Sequence, residues 1–195
     1  HTHGRLWLEI RLQLVRALMS RGDMGTVREP LEELVAELRA PDGDHPPHLL
    51  ARALDWLGSS TRITGDLAAA EALIGEALAL AERGDDTLLL ADVTYNLASL
   101  SQTRGQHDAA LQHHGRSLEL CLSTGDDVGA AMRRLALANV LFVTGGDQET
   151  TRTHLESALA TARAARVPRL EGATLNALAV LVGAEGDQAA AERYN

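Results

Sequence analysis

Histidine and cysteine carry most of the reactive chemistry available to this chain, and their spacing limits what they can do. His113 and His114 are adjacent in a predicted helix, where neighbouring residues point to different faces and do not chelate one metal ion together. We expect one of the two to be packed and the other solvated. Cys121, the single cysteine, lies in an apolar helical pattern. This pattern indicates a buried, inert thiol, and a reducing cytoplasm is the simplest compartment for the chain.

No motif for catalysis or metal binding is present. The chain has no His-Glu-x-x-His, no nucleotide-binding glycine string and no paired-cysteine zinc pattern. Gly58-Ser59-Ser60 lacks the second glycine of a nucleophile elbow and lies within a predicted helix. Four glutamates have the spacing of a solvated helix face, namely Glu29, Glu32, Glu33 and Glu37. We therefore expect no enzyme, no cofactor and no metal site.

Composition excludes further classes of function. The net charge of −9 repels phosphate groups, so we expect no direct contact with nucleic acid. All 18 basic residues are Arg, and a Walker-type phosphate loop requires a Lys. No apolar stretch reaches the roughly 18 residues of a membrane span, and no signal peptide is visible. With only 3% aromatic residues, the core must consist of Leu, Ala and Val, which favours an all-α protein.

A glycine-led turn recurs at intervals of about 40 residues, as in a solenoid of repeats. Its copies are Gly22-Asp23, Gly65-Asp66, Gly105-Gln106, Gly146-Asp147 and Gly186-Asp187. Each turn separates two apolar stretches of roughly 15–18 residues. We expect the glycine to end the first helix in a left-handed conformation and the aspartate to cap the second. Further breakers, Gly84-Asp85-Asp86 and Gly125-Asp126-Asp127, end each helix pair.

The repeat predicts one domain over residues 1–195 with about 4.5 helix–turn–helix units. Their approximate bounds are 4–40, 47–86, 87–127, 128–167 and a truncated 168–195. The first unit is the most divergent, with Pro30 tolerable only in the first turn of a helix and an inserted loop over 41–47. Small residues recur where helices must approach closely: Gly58, Ala98 and Ala138, then Ala70 and Ala110, then Ala77, Ser117 and Ala158.

At these residues the chain resembles a tetratricopeptide repeat. The second unit supplies Leu57-Gly58, Ala70, Ile74 and Ala77. The third has Leu97-Ala98, Ala110 and Leu118, with His114 at the large apolar position. The fourth has Leu137-Ala138, Leu155 and Ala158, with Thr151 in place of the first Ala. The resemblance implies a right-handed superhelical solenoid of antiparallel helix pairs.

The unit length departs from the usual repeat of about 34 residues. Arrays with units of about 40 residues resemble those of LuxR-type and antibiotic-regulatory-protein-type bacterial transcription regulators. They are also similar to the peptide-sensing repeats of quorum-response regulators, and the repeat alone does not separate these families. The chain begins at His1 without Met and stops at Asn195 inside a predicted helix, so we expect it to be part of a longer protein. Whether His1–Gly4 is native or a tag remnant stays open.

The resemblance also implies a concave groove lined by positions 2, 5, 6, 9 and 12 of each first helix. These positions are Arg52, Asp55, Trp56, Ser59 and Arg62; Asp92, Tyr95, Asn96, Ser99 and Gln102; Met132, Leu135, Ala136, Asn139 and Phe142; with Arg16 from the first repeat and Asn176 from the fifth. Aromatic anchors beside Asn side chains, which both donate and accept hydrogen bonds, suit recognition of a protein or peptide. For Trp56 and Phe142, packing between repeats is an equal alternative.

The predicted groove is not the lysine clamp that holds a terminal carboxylate in some members of this family, because the chain has no lysine. Arg16, Arg52 and Arg62 offer positive charge with a different geometry. The leading functional hypothesis is a protein- or peptide-binding scaffold, the sensor or interaction part of a larger bacterial transcription regulator. The alternative is a self-association module, in which the apolar last helix pairs with a second copy to form a homo-oligomer.

Overall fold

The computed structural model describes residues 2–21, 26–40, 45–184, 186 and 194. Nine helices lie in that part of the chain: α1 (Thr2–Ser20), α2 (Arg28–Leu38), α3 (Pro47–Ile63), α4 (Leu67–Ala81), α5 (Thr87–Thr103), α6 (His107–Thr124), α7 (Asp127–Val143), α8 (Gln148–Ala164) and α9 (Pro168–Ala184). No strand occurs there. Some predicted features lie outside the described residues: the Gly22-Asp23 turn, residues 41–44 of the inserted loop, Asp187, and most of the stretch after Ala184, where the truncated fifth unit predicts a tenth helix.

Residues His1–Arg104 form one compact unit, here called unit 1, which contains α1 to α5. Its core is a single cluster of aliphatic side chains that includes Leu8, Leu31, Leu54, Ile74 and Leu89. Within the unit α3 packs against α2, α4 and α5, and α4 packs against α5. Pro30 stands in the first turn of α2, where backbone N–H groups have no intrahelical acceptor. The N–H that proline lacks therefore costs the helix no hydrogen bond.

Residues Gly105–Asn195 form the second compact unit, here called unit 2, which contains α6 to α9. Within it α7 packs against α6, α8 and α9, and α8 packs against α9. Leu155, Leu159 and Leu178 belong to one apolar cluster, and Ala158 and Ala162 belong to another. The boundary between the two units falls inside the predicted third repeat. The prediction of one continuous repeat domain stays a prediction.

Aspartates begin four of the helices, as predicted for Asp66 and Asp147, whereas Asp86 and Asp126 were predicted only as breakers between helix pairs. The side chains of Asp66, Asp86, Asp126 and Asp147 accept a hydrogen bond from the backbone N–H three residues later, at 3.0, 2.9, 2.9 and 2.7 Å. Each satisfies one of the four N–H groups that a helix leaves free at its start.

Most of the helix ends also follow the expected glycine chemistry. Gly65, Gly105 and Gly125 have positive φ. In the next turn the left-handed residue is Gly145, one position before the predicted Gly146. After α8 a non-glycine residue, Arg166, takes this role with φ of 55°.

The small residues predicted at close helix contacts are buried, and Gly58 lies directly against the neighbouring helix. A Cβ atom on Gly58 would lie 2.6 Å from Cγ1 of Ile74 on α4, which is closer than non-bonded carbon atoms approach each other in proteins. The equivalent Ala98 and Ala138 are buried, as are the small residues of the second helices, Ala70, Ala77, Ala110, Ser117 and Ala158. Within unit 1, α3 and α4 therefore pack closely at Gly58.

Candidate functional site

Ten of the predicted groove residues lie on α3 and α5, which contact each other in unit 1. We call this surface the α3/α5 face. It comprises Arg52, Asp55, Trp56, Ser59 and Arg62 on α3 with Asp92, Tyr95, Asn96, Ser99 and Gln102 on α5. Of the remaining predicted residues, Arg16 is exposed on α1, and Asn139, Phe142 and Asn176 belong to unit 2. The prediction that these surfaces form one groove stays a prediction.

Asp55 and Asn96 form a link between the two helices of the α3/α5 face. Asp55 is only 1% exposed, and the amide nitrogen of Asn96 donates to both of its carboxylate oxygens at 2.9 Å each. A buried carboxylate requires such donors, because water no longer solvates it. The donor group of Asn96 is therefore engaged within the fold, which gives this residue a structural task that the sequence did not indicate.

Arg62 is the most unusual cation of the α3/α5 face. It is half-buried, its Nε has no hydrogen-bond partner, and one terminal nitrogen donates to Thr103 Oγ1 at 3.3 Å. Burial lowers the pKa of Arg62, and the neighbouring Tyr95 acts in the opposite direction. Several other arginines of unit 1 have acidic partners, such as Arg104 with Glu71 at 2.7 Å and Arg52 with Asp86 at 3.1 Å. Within the described residues Arg62 has none.

The remaining side chains of the face divide between core and surface. Trp56 is half-buried and packs against the core of unit 1, and Ser59 is buried. Tyr95 is half-buried, and its carbonyl oxygen accepts a hydrogen bond from Ser99 Oγ at 3.0 Å. Asp92 and Gln102 are half-buried as well.

In unit 2 the predicted residues meet around a cavity of about 300 Å³, which we call the α7/α9 hollow. Its walls are Leu135, Ala138, Asn139 and Phe142 of α7, Thr151 and Leu155 of α8, and Ala173, Asn176, Ala177, Val180 and Leu181 of α9. None of its described lining residues carries a charged side chain. The structure thus brings Asn139, Phe142 and Asn176 together, and both Asn side chains are exposed.

The sequence did not identify Ala173 and Val180 as part of this site. They occupy positions 2 and 9 of the fifth first helix, 41 residues after Met132 and Asn139. Extending the register from α7 to α9 would have found them. Thr103, the partner of Arg62, lies one residue beyond the last predicted position of α5 and carried no signal of its own.

A buried polar cluster lies in unit 2 away from these surfaces. His114 is fully buried, and burial together with the nearby Arg133 and His113 lowers its pKa to about 4. Arg133 is 4% exposed and donates from Nε to Ser117 Oγ at 3.1 Å. His113 is half-buried, so the predicted packed histidine is found, while its neighbour is less solvated than predicted. Cys121 is fully buried, also as predicted.

Two properties of the described residues bear on function. They contain no group of three or more His, Cys, Asp or Glu side chains arranged to hold a metal ion. Within the same residues, every helix is too short or too polar to traverse a lipid bilayer.

Comparison with known proteins supports the repeat interpretation. Residues 49–123 match the sequence profile of the tetratricopeptide repeat family. No curated protein matches the chain. Among solved structures, a candidate kinesin light chain of Podosopora anserina with nearly identical tetratricopeptide-like repeats is 19% identical, with a TM-score of 0.68 over 96% of this chain and 90% of that chain. BtubC (BKLC) of P. vanneervenii is 20% identical, with a TM-score of 0.66 over 96% of this chain and 70% of its own.

A further similar structure is a signal transduction ATPase with numerous domains from Pyrococcus horikoshii, described as having a tetratricopeptide repeat sensor. It is 17% identical, with a TM-score of 0.76 over 94% of this chain, and the chain spans 28% of its length. At these identities the likeness concerns the fold alone. The predicted fold class, an all-α repeat solenoid, is confirmed.

Proposed function

We propose that this chain is a protein-binding scaffold that recognises peptide segments on its first helices. The observation that carries the proposal is Arg62, a half-buried guanidinium next to Tyr95 without an acidic partner in the described residues. Removing a charge from water is unfavourable unless it is paired, so a ligand that supplies a carboxylate or carbonyl oxygen gains a strong, charge-assisted hydrogen bond. Tyr95 adds a half-buried aromatic surface, which suits an interface anchor.

The finer proposal is that the scaffold serves as the sensor of a larger bacterial transcription regulator. Support comes from the unit length of about 40 residues and from the Pyrococcus horikoshii protein, whose repeats are described as a sensor. In this proposal ligand binding changes the curvature of the repeat array and thereby acts on an effector domain. Limited proteolysis of the full-length protein with and without ligand tests it. A cleavage pattern in the effector domain that is the same in both conditions contradicts it.

Binding is tested with a peptide array, followed by titration of the hits against the parent and the double variant Arg62→Gln/Tyr95→Ala. We expect the double variant to bind at least about tenfold more weakly, the equivalent of about 1.4 kcal/mol. The matched control is Arg83→Gln, which removes an exposed arginine outside the α3/α5 face. Asn96 is left unchanged because its loss would disturb the buried Asp55. Equal binding by parent and double variant, both folded by circular dichroism, contradicts the site assignment.

A second candidate function is self-association, and the exposed side of α1 favours it. Leu6, Trp7, Ile10 and Leu14 are 57%, 58%, 50% and 61% exposed on one side of this helix. In the register that aligns Gly22 with Gly65, three of these positions correspond to Leu49, Ala53 and Leu57 of α3. Those residues are only 4%, 0% and 6% exposed. The side of α1 is thus a packing surface that has no cover among the described residues.

We propose that this surface packs against the same surface of a second copy of the chain, with the two α1 helices antiparallel and centred on Ile10. Such an arrangement is isologous, and it places the uncharged stripe of one α1 on the same stripe of the other. The sequence had assigned this role to the last helix, whose end lies outside the described residues. Sedimentation across a concentration series is the test: we expect a dimer that Ile10→Glu dissociates and that Val143→Glu, an exposed position of α7, does not. A chain that is monomeric at all concentrations excludes this candidate.

A further inference from the structure

We propose that the α7/α9 hollow binds one uncharged, apolar side chain of a peptide, while Asn139 and Asn176 hydrogen-bond the peptide main chain beside it. The inference rests on the proposed peptide-binding function and specifies the chemistry of the ligand. It concerns unit 2 alone.

The lining of the hollow selects for an apolar group. Its inner part is formed by Ala138, Leu155 and Leu181, each of which is only 1% exposed. The one hydroxyl in the wall, that of Thr151, already donates to the carbonyl oxygen of Asp147 at 2.8 Å. A charged side chain entering here would lose its water and meet no partner, whereas an aliphatic or aromatic one would leave water favourably.

The size of the hollow limits the ligand to a single side chain. Its volume of about 300 Å³ lies at the lower end of the roughly 300–1,000 Å³ found for small-molecule sites. Phe142, which is 37% exposed at the same site, adds aromatic surface that an entering side chain can contact. The hollow therefore suits a Leu, Met or Phe side chain better than a cofactor.

The two carboxamides suit the main chain of the ligand. Asn139 and Asn176 are exposed on two neighbouring helices, and neither side chain makes a hydrogen bond to the described residues. Each offers one acceptor and two donors, which match the carbonyl and N–H groups of a peptide. Asn96 on the α3/α5 face differs, because its amide nitrogen is held by Asp55.

Position along the helices supports a shared function for these groups. Asn139 and Phe142 are three residues apart on α7, and Asn176 and Val180 are four residues apart on α9, so each pair lies on one helix face. Each helix therefore contributes one carboxamide and one apolar side chain to the rim. A peptide crossing from α7 to α9 would meet the same two kinds of group on both sides of the hollow.

The test is an NMR titration of the isotope-labelled chain with blocked peptides of sequence Gly-Ser-X-Ser-Gly, where X is Leu, Phe, Gly, Asp or Lys. We expect the Leu and Phe peptides to shift the side-chain amides of Asn139 and Asn176 and the methyl groups of Leu135 and Leu155. The Gly, Asp and Lys peptides should leave these signals in place. Equal shifts with the Gly or Asp peptide overturn the inference.

Two variants complete the design. Ala173→Leu fills the rim of the hollow, and we expect it to weaken Leu-peptide binding at least about tenfold. The matched control Ala160→Leu makes the same change at an exposed position of α8 outside the hollow and should have no effect. Unchanged binding to Ala173→Leu overturns the inference. Shifts confined to Arg62 and Tyr95 overturn it too while leaving the proposed function intact, and the absence of shifts anywhere counts against both.

Discussion

The link between Asp55 and Asn96 gives the most direct test of how the α3/α5 face is built. We consider the variant Asn96→Ala, which removes the amide that donates to both oxygens of a carboxylate exposed by only 1%. A hydrogen bond to a charged group contributes about 1.5–3 kcal/mol, and the amide of Asn96 donates to both oxygens of this buried carboxylate. We therefore expect Asn96→Ala to lower the free energy of unfolding by about 2–3 kcal/mol.

A double-mutant cycle separates this link from other effects of the substitution. Urea unfolding is followed by circular dichroism for the parent, Asn96→Ala, Asp55→Ala and the double variant. In the Asp55→Ala background the loss of Asn96 should change the stability by less than about 1 kcal/mol, which gives a coupling energy of about 1.5–3 kcal/mol. A coupling below about 0.5 kcal/mol would refute the structural role that we assign to Asn96.

Asn139 supplies the matched control for this cycle. Its side chain is exposed on α7 and bonds to none of the described residues. Asn139→Ala should leave the stability within about 0.5 kcal/mol of the parent, as most surface substitutions do. The comparison distinguishes an asparagine that stabilises the fold from one that is available to a ligand.

Three further predictions concern stability. Gly58→Ala should destabilise the chain by about 1–2 kcal/mol in urea unfolding, because its Cβ would lie 2.6 Å from Ile74 Cγ1. Gly75→Ala, which meets nothing within 4 Å, should instead stabilise it by about 1 kcal/mol, and equal effects would contradict the close packing. Burial lowers the pKa of His114 to about 4. As the pH falls, this imidazole is therefore protonated in the unfolded chain before it is protonated in the folded chain. Stability should therefore decline between about pH 6.5 and 4, by up to about 3 kcal/mol, and His114→Leu should remove most of this slope in thermal melts at stepped pH. Arg166→Gly should raise the midpoint of thermal unfolding, because φ at this residue is 55° and a left-handed conformation is unfavourable by about 1–2 kcal/mol for a residue with a Cβ; an unchanged or lower midpoint would count against that strain.

The fold followed from the sequence because local signals agreed with one another. Glycines at turns, aspartates at helix starts and alanines at close contacts recur with one period, and each has a direct physical cause. The first repeat was harder to interpret because its turn glycine and inserted loop depart from that period. The turn glycine with positive φ is Gly145, whereas the repeat spacing predicted Gly146. The sequence could not distinguish the two, because adjacent glycines adopt a left-handed conformation equally easily.

The candidate site was predictable in part. The resemblance to tetratricopeptide repeats placed Asn139, Phe142 and Asn176 at groove positions of first helices, and the structure brings them to one hollow. The role of Asn96 was not predictable, because it depends on a partner 41 residues earlier in the chain. The state of Arg62 was equally hidden, since burial and the absence of an acidic partner are properties of the packed unit and not of the residue type.

The burial of Cys121 has a practical consequence. Its thiol is fully enclosed in unit 2, and a reagent that alkylates sulfur needs access to a thiolate. A cysteine introduced beside the α7/α9 hollow, for example Gly172→Cys at an exposed position of α9, is therefore the thiol that a maleimide dye reaches in the native protein. One fluorophore can thus be attached at a chosen place without first removing the natural cysteine, and its emission would report directly on what enters the hollow.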